Sequence, residues 1–162
     1  MILDIFFHPC RFTGKSGLNK NPFTGNDLIV ENPVEPSNAA ELDVMRAIIR
    51  KYANAHGPDA DGGFTIKSAQ AEATIDCREL PTSCTVTLYG MAPIFFAFLF
   101  DLLQSADWVM IPDMERMVAV TTSRQSLKNL PANFPTVVEC QSPQHLKDLL
   151  PEIVEAWGTD EG

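Results

Sequence analysis

Apolar and polar positions along the chain change period several times, and the changes mark out the elements. Over residues 2–8 the pattern alternates. Leu3, Ile5 and Phe7 share one face, and Asp4, Phe6 and His8 the other, which predicts a half-buried strand. The period lengthens after Ser37, where Leu42, Met45, Ile49 and Tyr52 fall three or four apart and Val44 and Ile48 widen the face. A helix is expected there, with Ser37 as its N-cap. Arg46, Arg50 and Lys51 suit the negative end of its dipole, and Gly57-Pro58 stops it.

Three strands follow in the pattern, over 64–67, 71–77 and 84–89. Ala73, Ile75 and Cys77 share one face of the second, and Cys84, Val86 and Leu88 one face of the third. Residues 92–113 are then the most apolar stretch of the chain, a very apolar central helix over 92–105 and an apolar strand over 108–111. At about 100° per residue, Phe95, Phe96, Phe98, Leu99, Phe100, Leu102 and Leu103 cover more than half of the helix circumference. Only Ala97, Asp101, Gln104 and Ser105 form a polar stripe. Such a rod has to be covered on most sides. It is too short, and too soon broken by Asp101, to span a bilayer, which needs ~20 apolar residues.

Strands over 117–121 and 136–140, a helical turn from Ser123 to Leu130, and a last helix opened by Ser142-Pro143 complete the pattern. Leu146, Leu149, Leu150, Ile153, Val154 and Trp157 form the apolar face of that helix, with a kink or restart at Pro151. Residues 28–30 are a further short strand. The Gly-, Asn- and Lys-containing segment 11–25 reads as a flexible loop, and the acidic tail 158–162 as frayed. No repeat or long linker divides the chain. The expectation is therefore one α+β domain over 1–162, a largely antiparallel mixed sheet covered by helices.

Charge narrows the choice of partner. The 162 residues carry a net charge of −9, which disfavours nucleic acid and anionic membrane and favours a basic protein surface. The amino terminus lacks the basic flank and long apolar run of a secretory signal, so a cytoplasmic protein with reduced cysteines is expected. Cys10, Cys77, Cys84 and Cys140 include no close pair of the zinc-binding kind, and no metal or other cofactor is expected.

Two loops have the beginnings of a ligand motif. Thr13-Gly14-Lys15-Ser16 looks like the end of a phosphate-binding loop, but Pro9 holds the place of its first glycine and no helix-forming run follows. Residues 59–63 open like a calcium loop, but Gly63 stands at the third ligand position, Phe64 at the glycine position and Gln70 at the closing acid. Both read as turns. Of the three histidines, His56 and His145 sit at helix ends, and only His8, close to Cys10, suggests a small hydrolase or transferase. Asp107, Asp113 and Glu115 flank one strand pair and invite comparison with the converging acids of a glycosidase, with a solvated charged loop as the plainer reading.

The run Asp107-Trp108-Val109-Met110-Ile111-Pro112, then Met114-Glu115, a Val-Ala-Val strand, Asn133-Phe134-Pro135-Thr136-Val137-Val138 and the Ser142-Pro143 helix resembles small cytoplasmic immunity proteins of interbacterial competition. Asn21-Pro22-Phe23-Thr24-Gly25 has the same flavour. The resemblance implies a non-enzymatic acidic protein that binds a cognate toxin and occludes its active site. It carries over no catalytic residue, since the class has none in common. An aromatic anchor among carboxylates is a hot-spot composition, so the expected partner-binding residues are Glu31, Glu35, Asp107, Trp108, Asp113 and Glu115. An adaptor or chaperone for a secreted effector is the other binding role open to such a chain.

Overall fold

The computed structural model describes residues 2–14, 16–20, 27–31, 34–54, 56–80, 83–114, 118–123, 127–132 and 134–149, with backbone alone described for 16–20 and 27–31. Among these residues lies a seven-stranded sheet in the order β4-β5-β6-β1-β7-β8-β9, with three helices packed on one face. Its strands are β1 Ile2–Pro9, β4 Phe64–Lys67, β5 Glu72–Asp76, β6 Cys84–Tyr89, β7 Trp108–Pro112, β8 Val118–Thr121 and β9 Thr136–Glu139. Every pairing is antiparallel except β8 with β9. This is the α+β domain with a largely antiparallel mixed sheet that the pattern predicts.

The amino-terminal strand is the middle of the sheet. β1 pairs with β6 on one side and β7 on the other, so β6 and β7 run in the same direction with β1 between them. The helix α2 (Pro93–Gln104) connects β6 to β7 and therefore crosses over β1. That placement is why its composition is so apolar. Phe95, Phe96, Phe98, Leu99, Phe100, Leu102 and Leu103 are all buried, in one cluster with Leu3, Ile5 and Phe7 of β1. At ~1.5–3 kcal/mol per large apolar side chain, their burial supplies on the order of 10–20 kcal/mol against the cost of ordering the chain. No side chain caps its first turn, so packing holds this helix rather than local chemistry.

The helix α1 (Ala39–Ala53) is the opposite case. Asn38, not Ser37, is its N-cap: the Asn38 side chain accepts from the Glu41 N–H at 2.9 Å, and the Glu41 carboxylate accepts from the Asn38 N–H at 3.1 Å. This capping box serves two otherwise unpaired donors at once, which a serine one residue earlier cannot do. Met45, Ile49 and Ala53 are buried, and Tyr52 meets Phe98 of α2 edge to face at 5.3 Å. The Tyr52 hydroxyl donates to Asp101, so the polar stripe of α2 is satisfied where α1 covers it. On the other flank lies α3 (Pro143–Leu149), with Leu146 buried and the Ser142 hydroxyl accepting from the His145 N–H at 3.0 Å.

Two expectations are corrected. The segment 11–25 contains strand β2 (Ser16–Lys20), which pairs with β3 (Asp27–Glu31) in a separate two-stranded sheet. Polar composition hid that strand, because hairpin pairing is a backbone property. The helical turn expected to reach Leu130 is absent over 127–130, where Lys128 instead forms a parallel bridge with Arg11. Residues 150–162, with Leu150, Pro151, Ile153, Val154, Trp157 and the acidic tail, lie outside the described residues.

Candidate functional site

The end of the sheet where β1 leaves and β7 begins collects charge from separate segments. Beyond β1, the Cys10 N–H donates to the Asp107 carbonyl at 3.2 Å, which brings Arg11 beside Asp107. The Arg11 guanidinium lies 2.8 Å from Glu41 at the start of α1 and 3.4 Å from the Asp107 carboxylate. Glu35 is held next to them by its backbone N–H, which donates to the Arg11 carbonyl at 2.8 Å. Two carboxylates, Glu41 and Asp107, thus stand against one guanidinium, and Glu35 is tied to the same residue through the backbone. Beside them is a polar cleft of about 360 Å³ lined by Glu41, Gln104, Ser105, Asp107, Thr121 and Ser123, among others.

Family models, curated proteins and solved structures give no match to this chain.

The six residues singled out in the sequence are not gathered in one place. Glu35 and Asp107 share the acidic end. Asp113 is exposed but lies at the other end of β7, roughly 20 Å away at ~3.3 Å per strand residue, where its N–H donates to the Asp4 carbonyl at 2.8 Å. This separation keeps Asp107 and Asp113 from acting as a carboxylate pair. Trp108 is 1 % exposed and packs against Phe7 at 6.4 Å, with its indole N–H donating to the buried Ser37 hydroxyl. The ring is a core residue in this conformation, and the anchoring role expected of it has no surface from which to act. The Glu31 side chain and all of Glu115 lie outside what is described.

The two groups of the hydrolytic alternative are each held against a backbone carbonyl. His8 Nδ1 is 2.9 Å from the Pro9 carbonyl oxygen, and its ring meets Phe134 edge-on at 6.3 Å. Cys10 is fully buried, its thiol donating to the Asp107 carbonyl at 3.3 Å. Burial, with the nearby Asp107 charge, pushes that thiol up to about 12, so it is protonated at neutral pH. Burial likewise raises Cys140. Cys77 is the exception: a hydrogen bond from Cys84 lowers it, while Cys84, sharing that bond and deeply buried, is raised. Among the described residues no three histidine, cysteine, aspartate or glutamate side chains are placed to hold a metal ion. Asp59 instead closes the 59–63 turn, accepting from the Asp61 and Gly63 N–H groups at 2.9 Å each. No helix among the described residues is long and apolar enough to cross a membrane.

What the sequence reading passed over is the second face of the sheet, which is divided. Around Val109, Ile111 and Ala119 it is covered by Leu127 and Phe134, whereas over β5, β6 and β1 no helix among the described residues packs on it, and Ile2, Phe6 and Tyr89 remain exposed. The signal was present, since the alternation of β1 puts Phe6 on the face opposite the core.

Proposed function

We propose that this chain is an immunity protein, a stoichiometric inhibitor that binds a cognate bacterial toxin with a basic surface and occludes its active site without catalysing a reaction. The observation that carries the proposal is the gathering of Glu35, Glu41 and Asp107 about Arg11 at one end of the sheet, more acids than the guanidinium balances, in a chain of net charge −9. The negative potential of such a chain speeds encounter with a cationic partner and repels nucleic acid and anionic membrane. The protonated, buried state of Cys10 agrees with a binding role.

The test is neutralisation. The product of the neighbouring gene is expressed in cells with and without this chain, and the two purified proteins are mixed. Rescue of growth and a one-to-one complex are expected. Glu35→Lys, at an exposed position, should weaken the complex roughly tenfold, mainly through slower association at low salt. A lethal neighbour whose toxicity and activity are untouched by this chain would refute the role. A complex that persists after the toxic domain is deleted would assign the chain to transport of an effector instead.

A further inference from the structure

We propose that the sheet face formed by β5, β6 and β1, over which none of the described helices packs, is a protein-docking surface for a partner that presents lysine or arginine side chains around an apolar contact. The strand register sets out this face in rows. One row runs Lys67, Glu72, Tyr89, Ile2, and the next Thr65, Thr74, Thr87, Asp4. A third runs Asp76, Thr85, Phe6, Ile111. Asp113 extends the second row through its N–H bond to the Asp4 carbonyl.

Three large apolar side chains stay in solvent on these rows: Ile2 is 65 % exposed, Tyr89 45 % and Phe6 41 %. Ile2 and Tyr89 are direct cross-strand partners, and Phe6 stands two positions beyond Asp4 on the same face of β1. Between them lie short threonines, which leave the surface flat, and Asp4, whose carboxylate is fixed by the Thr87 hydroxyl at 2.7 Å. A rigid carboxylate among exposed apolar groups is a built recognition element, because neither the sheet backbone nor the Asp4 rotamer has to be ordered on binding.

Charge selects the occupant. Asp76 is neutralised by Arg78 at 2.7 Å, and Glu72 has Lys67 opposite it, so the margin near β4 is balanced. Asp4 and Asp113, next to each other beside Ile2 and Phe6, face no basic side chain in these rows. A second copy of this chain would meet them with its own acids. A partner with cations flanking an apolar side chain would complement both features.

This surface rests on the proposed inhibitor role for the identity of its partner, but not for the chemistry it selects. The ¹⁵N-labelled full chain is titrated with a short synthetic peptide alternating lysine and leucine, and with its counterpart carrying glutamate for lysine. The lysine peptide should shift amide resonances of β1, β5, β6 and Asp113, while the glutamate peptide should not. Asp4→Asn, and separately the double change Phe6→Ser with Tyr89→Ser, should each weaken it roughly tenfold with the thermal midpoint unchanged. Shifts confined to Glu35, Glu41 and Asp107, or equal binding of both peptides, would overturn the assignment. So would self-association abolished by the Phe6→Ser, Tyr89→Ser pair, which would give the face to a second copy. The mapping needs no toxin, so a failed rescue leaves it standing, and a failed mapping leaves rescue through the acidic end untouched.

Discussion

Ser37→Ala deletes one oxygen from the interior and leaves the Trp108 indole N–H without its acceptor. Both residues are buried, Ser37 at 6 % exposure and Trp108 at 1 %, so water does not readily replace the lost partner. An unsatisfied buried donor costs ~1–3 kcal/mol, against a negligible packing change from losing a hydroxyl. At ~2–4 °C per kcal/mol for a domain of this size, the midpoint of thermal unfolding should fall by about 2–12 °C. Trp108→Phe removes the donor as well as part of the ring, so combining it with Ser37→Ala should cost less than the sum of the two, by roughly 1 kcal/mol. Trp108→Ala, which opens a cavity against Phe7, should cost ~3–5 kcal/mol. The assay is thermal unfolding followed by far-ultraviolet circular dichroism for the midpoint, and urea unfolding for the free-energy differences, with unchanged slope as the check that only stability moved. A Ser37→Ala midpoint equal to wild type, or full additivity in the double variant, would refute the reasoning.

Other consequences are equally direct. Burial first, and then the hydrogen bond to Asp101, push the Tyr52 hydroxyl up to about 12, above its ordinary value of 10.0, so the neutral phenol is the form the fold favours. The stabilisation is therefore complete below about pH 10 and is lost as pH rises towards 12; the advantage of wild type over Tyr52→Phe in urea should shrink across that window. Cys77, lowered by its hydrogen bond with Cys84 and only partly buried, should be alkylated first by iodoacetamide, with the buried Cys10 much slower in the folded protein; mass mapping of the modified thiols checks the order. Asn38→Ala should cost ~1 kcal/mol through loss of the α1 cap, whereas Ser37→Ala should leave helix-end protection in hydrogen exchange unchanged.

Elements whose signals are local were legible in the order of residues alone. The seven apolar side chains of α2, the alternation of Leu3, Ile5 and Phe7, and strands β4 and β6 were legible because burial on one side imprints a period on neighbouring residues. The same logic put Phe6 and Asp4 on the outer face of β1. Tertiary structure alone decided what depends on pairing between distant segments. The Asn38–Glu41 box displaced Ser37 from the cap, and burial then gave Ser37 a different partner in Trp108. β1 became the central strand although it comes first in the chain, and β9 paired parallel to β8. Strand length carried Asp107 and Asp113 to opposite ends of β7, while the exit of the chain from β1 brought Arg11 between Glu41 and Asp107. Periodicity tells which side of an element is buried; which elements meet there is set by the summed packing of the whole core, and no short window of residues contains that sum.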